Sequence, residues 1–432
     1  MSFCELKFPA GLRLLSRWQQ GESQAFEQLK VIFDAALSGQ LDDSFREPAP
    51  EDAVHACGSI DLMTLTIMNS LYGLTTAQFY KGDPLRYVRS VLVSLRLLGM
   101  PKTYLSWPVY GFTAEALGQI MIYSDKFSPG TDPEQALVNR ENWRDVRLPN
   151  LDEGMPALIA NYLDCYVLLT GHRPVMHLAA PYSLAAEIYG QEPLIAALTH
   201  EPEFANQFLD HLVDEIHSPW LDRFFRKHPD AWAELSDASG SPFFIGPGNC
   251  KNMAIRSVQR LRDTNPWGSR VYVANYRGDY VIEASSKGGS SRRGRQKKPP
   301  ASALQLQDLF DLKHSVCRDY TIRLADDRVP ISHHIEQSIK NNIPLFTGIG
   351  AKQIDRHAIT DLSASQGQTK AMSLDYVDAI KTVAHTITQN GYQPDGPPWP
   401  GTMYFEDVSA ESSFELVEVI VGQVLEHGSL AS

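Results

Sequence analysis

A chain of 432 residues, 43% of them apolar, can bury a large core, and one barrel with added segments reaches this length as readily as two smaller domains do. A formal net charge of -12 argues against binding duplex nucleic acid, because phosphate contacts need a basic face to displace condensed counterions. Small-molecule chemistry is the class left, with a small-molecule substrate as the expected partner.

Residues 1–48 carry apolar positions at helical spacing, Leu12, Leu15 and Trp18, then Phe26, Leu29, Ile32 and Phe33, and the pattern predicts a helical extension ahead of the main domain. From Val54 onward short β-branched or apolar runs alternate with helix-period segments, as in β-α units around a parallel sheet. The candidate strands are Ala53–Cys57, Lys102–Trp107, Pro174–Ala179, Ala233–Asp237, Arg270–Asn275, Tyr320–Ala325 and Pro344–Thr347. The clearest helix spans Glu203–Phe225, where Phe204, Phe208, Leu212, Ile216 and Trp220 fall four apart on one face after the start signal HEPE. The stretch 285–300, SSKGGSSRRGRQKKPP, breaks the pattern: it is Gly/Ser-rich, then strongly basic, and reads as a surface insertion able to act as a lid or to dock an acidic partner.

Cys4, Cys57, Cys165, Cys250 and Cys317 form no C-x-x-C pair, which is the expectation for reduced thiols in a cytoplasmic protein. The opening MSFCELKFPAGLRLL lacks the apolar core of a signal peptide, and no run approaches the ~20 apolar residues of a membrane span, so no membrane partner is expected.

Several residues stand where strand ends would present them to a pocket. Asp237 ends a strand just before Ser239, placing a carboxylate for base or cation-stabilising work unless it caps the next helix. His177 lies mid-strand in VMHLAA, as a catalytic imidazole or a hydrogen-bonded core residue. Tyr182 is expected to face the pocket and Ser183 to cap the following helix. Asn275 and Arg277 close another strand, and the planar fork of Arg277 suits a carboxylate. His55 and Asp61 flank the first strand. Gly348 and Gly350 allow a close backbone approach, either to an anion or in a simple turn. Asp326, Asp327, His333 and His334 are metal-ligand types, but their spacing matches no recognised site, and no metal or other cofactor is favoured.

The order RPVMHLAAPYSLAAEIYGQEPLIAALTHEPEFANQFLDHLVDE, followed by AELSDASGSPFFIGPG, resembles the central segment of the uroporphyrinogen decarboxylase superfamily. That resemblance runs over about residues 53–428 and is dense between Arg173 and Pro247. It implies an α/β fold, a (β/α)8 TIM barrel at 49–432, with chemistry at the C-terminal strand ends and a homodimeric state. Decarboxylases of the superfamily carry an N-terminal Arg-Gln-Ala-Gly-Arg stretch, where this chain has CGSIDLMTLTIMNSLYG. Its corrinoid- and thiol-dependent methyltransferases hold zinc with a His-x-Cys pair and a distant Cys, where this chain offers Asn275 and Arg277.

The leading expectation is thus a cofactor-free, decarboxylation-type enzyme acting on a carboxylate-bearing small molecule. Asp237 would manage the proton or charge and Arg277 would anchor the substrate. The alternative is a methyltransferase of the same superfamily, with zinc or a corrinoid as its cofactor. A non-catalytic binding barrel docking an acidic partner through 285–300 is a third.

Overall fold

The computed structural model describes residues 8–47, 56–100, 102, 105–124, 128–275, 311, 315–316, 321–323, 331–343, 345–359, 361–389 and 403–427. His55, Arg277, Asp326, Asp327 and the basic stretch 285–300 lie outside them.

Helices predominate, wrapped around short parallel strands. The strands are β1 Ala56–Gly58, β2 Met121–Ile122, β3 Gly130–Thr131, β4 Val175–Ala179, β5 Trp232–Ser236, β6 Val271–Asn275, β7 Thr321–Arg323, β8 Leu345–Ile349 and β9 Met403–Phe405. One sheet runs β1-β9-β8-β7 and another β4-β5-β6, every pairing parallel, while β2 and β3 form an antiparallel pair apart from both. Parallel neighbours need crossover connections, which is why the β-α alternation in the sequence forecasts this topology. Among the described residues the two parallel sheets do not close on each other.

The segment expected as the strand Lys102–Trp107 has no strand among its described residues, 102 and 105–107. It is held through other groups: the Ser106 carbonyl accepts from Tyr87 Oη, Ser106 Oγ accepts from the Ile60 amide at 3.1 Å, and the Lys102 carbonyl accepts from Tyr166 Oη at 2.9 Å. Side-chain donors thus replace part of a ladder, and a propensity reading cannot foresee that.

The N-terminal extension is helical at Ala10–Gln19, Ser23–Leu37 and Asp42–Arg46. Leu12, Leu15, Leu29, Ile32 and Phe33 are buried in the same core as Val417 and Val421 of the helix Phe414–His427. Ser16 Oγ donates to Glu415 Oε1 at 2.5 Å across that contact.

The expected helix Glu203–Phe225 forms, but not as one regular α-helix. It runs Pro202–Leu212, widens into a π turn at Val213–His217 and continues as Ser218–Lys227. Pro219 lacks the N–H that an α-helix would aim at Glu215, and a π bulge is one way a helix absorbs such a break. Phe204, Phe208, Leu212, Ile216 and Trp220 are all buried, so the expected face is kept. Among the described residues no helix is long and apolar enough to cross a membrane.

Candidate functional site

Alternation along the parallel strands sorts their side chains onto two faces. Met176 lies in a cleft of about 290 Å³ among Ala157, Ala160, Trp220 and Phe224, side chains of the outer helices. His177 therefore turns to the opposite face, away from those helices. Register places His177 of β4 beside Glu234 of β5, and Glu234 beside Tyr272 of β6. Tyr272 Oη donates to Glu234 Oε2 at 3.0 Å, and Glu234 Oε1 lies 3.5 Å from His177 Nδ1. The Trp107 ring meets the imidazole perpendicularly, 4.9 Å between centroids. All four side chains are buried, so the interior face carries a continuous polar row inside an apolar shell.

Above this row the strand ends hold a second cluster. Asp237 follows β5 and is fully buried; its Oδ1 accepts from Ser183 Oγ at 2.8 Å, and Ser183 Oγ in turn accepts from the Ser239 amide at 3.2 Å. Ser183 does not cap its helix, as the sequence suggested: Ala180 is the cap position of Pro181–Tyr189, and Ser183 turns to the carboxylate instead. Nor is Asp237 a cap, since Ser241 precedes the helix Pro242–Asn249. Tyr182 Oη is buried with no hydrogen-bond partner among the described residues, and burial together with the Asp237 charge pushes its hydroxyl well above the usual phenol range. The Trp107 indole N–H is likewise buried without a partner. Buried donors left unpaired cost about 1–3 kcal/mol each. Tyr110 Oη accepts from the Ala238 amide at 3.1 Å and holds the loop after β5.

Asp61 opens the helix Asp61–Tyr72 just past β1 and is buried. Its Oδ2 accepts from Tyr80 Oη at 2.7 Å. Burial lifts its carboxyl above the ordinary range, against hydrogen bonds from Tyr80, Ser106 and its own amide. Tyr80 lies among Phe79, Tyr87 and Phe112, with ring centroids 4.8 to 5.9 Å from its own, which makes this corner a closed aromatic shell.

Other candidates stand apart. The Gly350 amide donates to Gln353 Oε1 at 2.8 Å, so the turn takes the group an anion would have used. Gly348 pairs with Tyr404 in the β8-β9 register, and Tyr404 Oη lies 3.0 Å from Ser59 Oγ. His333 and His334 belong to the helix Ile331–Asn341, with ring centroids 6.1 Å apart. Asn275 ends β6. Glu234, Tyr272, Trp107 and Ser106 escaped the sequence reading; a charged residue alone in the apolar run AWAELS was the available signal for Glu234.

No family model matches the chain, and no curated protein matches it. Solved structures do resemble it. A methyltransferase from Methanosarcina mazei superposes over 91% of this chain and 96% of its own, with a TM-score of 0.57 and 13% sequence identity. At that identity the likeness is one of fold.

Proposed function

We propose that the parallel strands are staves of a (β/α)8 barrel and that the protein is a methyltransferase acting on a small molecule inside it. Full-length likeness in fold to a methyltransferase carries the reading. The segment ending at Trp107 supports the barrel: it touches Ile60, past β1, on one side and His177 of β4 on the other, and with the four- and three-stranded sheets it makes eight staves.

Methyl transfer is a displacement at carbon. The acceptor heteroatom bonds to the methyl carbon, the donor leaves with the bonding pair, and the acceptor's proton needs a base. His177, buried on the interior face and flanked by Glu234, is the residue we assign to take that proton. The Trp107 N–H and Tyr182 hydroxyl are the donors we assign to hold the bound molecule.

A zinc ion held through thiolates does not fit the described residues. Cys165 is half-buried on the helix Gly154–Thr170, Cys250 is buried at the start of a π turn, and no three His, Cys, Asp or Glu side chains gather in a ligand-like group. No step here is routed through a metal. The decarboxylase reading leaned on Asp237 and Arg277; the carboxylate of Asp237 is enclosed and bonded to Ser183, and Arg277 lies outside the described residues.

Incubating the purified protein with methylcobalamin or a methylated amine, and a thiol acceptor, tests the proposal. Methylated thiol should accumulate, and His177→Gln should slow it about 10²- to 10⁴-fold, the usual range for losing a general base. Carbon dioxide released from carboxylated substrates, with no methyl transfer from any donor, would overturn it.

A further inference from the structure

We propose that Glu234 and Tyr272 are positioning residues that keep the proton of neutral His177 on Nδ1, making Nε2 the ring's basic nitrogen. The catalytic meaning of that tautomer rests on His177 being the base of the proposed methyl transfer. Three strands in parallel register create the arrangement, since each residue sits directly beside the next.

An ionised carboxylate only accepts hydrogen bonds. Tyr272 therefore commits its hydroxyl proton to Oε2 at 3.0 Å, and this bond sets the plane in which the other oxygen must lie. Oε1 then faces His177 Nδ1 at 3.5 Å. In a neutral imidazole one nitrogen carries the proton and the other accepts, and an acceptor opposite Nδ1 selects the form protonated there. Trp107, at 89° to the imidazole, stands against rotation of the ring. Exposure decides how firmly this holds: Trp107 is 3% exposed, His177 1%, Glu234 4% and Tyr272 1%, so bulk water does not compete for these groups. At 3.5 Å the pair is an ion-pair contact that falls short of a hydrogen bond; in apo enzymes such contacts are often long and tighten once substrate is bound.

The test is nitrogen-15 NMR of the full chain labelled at histidine, with His177→Gln assigning the signals. Wild type should show the Nδ1–H tautomer. Glu234→Gln presents an amide that can donate as well as accept, and should convert the signal toward the Nε2–H form or a mixture. Tyr272→Phe removes one oxygen, keeps the ring packing, and should loosen the preference even where the glutamine variant fails to fold. In turnover, Glu234→Gln should lower kcat by about 10-fold or more, up to the 10²- to 10⁴-fold range for losing the general base itself, with KM unchanged. A wild-type proton on Nε2, or an unchanged tautomer in both variants, overturns the positioning role. The expected tautomers in a protein that transfers no methyl group would leave that role standing and remove the methyltransferase reading instead.

Discussion

At the scale of single residues, buried carboxylates dominate the behaviour expected of the site. Asp61 has its folded pKa raised by burial, so its contribution to stability is present below the unfolded value and is lost as pH rises through the folded one. Asp61→Asn keeps an acceptor for Tyr80 and removes the charge; it should fold and flatten that part of the pH dependence, measured by urea unfolding across pH 4 to 8 on the order of one-unit steps. Asp61→Leu leaves the Tyr80 hydroxyl without its acceptor and should cost about 1–3 kcal/mol in the same assay. Gly240 tests the second cluster. A Cβ there would lie 2.5 Å from Asp237 Oδ2, and the enclosed carboxylate has little room to retreat. Gly240→Ala should destabilise by about 1–3 kcal/mol, the usual cost of overpacking, and a crystal structure of the variant should show the Ser183–Asp237 bond displaced.

At the scale of elements, the π turn Val213–His217 links a helix to the site. His217 Nε2 lies 2.8 Å from the Ala179 carbonyl, the last residue of β4, and Nδ1 lies 3.0 Å from the Leu212 carbonyl. Burial pushes its pKa below the ordinary 6.5 despite those two bonds. A depressed histidine contributes stability above its unfolded pKa that is lost as pH falls through the folded one. Thermal unfolding followed across pH should therefore show the wild type losing stability below about pH 6.5, and His217→Gln, which cannot charge, losing less over the same interval. Equal slopes for the two proteins would deny His217 this role.

At the scale of the whole molecule, elements far apart in the sequence meet. β1 pairs directly with β9, and the helix Phe414–His427 buries Phe414, Val417, Ile420, Val421 and Val424. Truncation after residue 402 removes both, exposing the edges of β1 and β8 and the apolar surface under the helix. The truncated chain should be insoluble or lack a cooperative melt by circular dichroism; a protein with native-like melting would show that the terminal elements are dispensable.

The sequence alone determined most of the parallel strands. Six of the seven candidate strands overlap a parallel strand, with bounds that differ by up to about three residues, because β-branched runs bounded by helix-period segments carry their own signal. β9 was illegible: three residues after the run QPDGPPWPGT read as loop, and only pairing with β1 and β8 makes them a strand. The site divided in the same way. His177, Asp237, Asp61 and Tyr182 were visible as polar residues in apolar strands and turns. Their partners were not. Glu234 stands 57 residues beyond His177 and Tyr272 a further 38, and nothing local says which pairs become neighbours. Strand register, a property of the assembled sheet, brought them together, and so the tertiary structure alone decided which carboxylate stands beside His177.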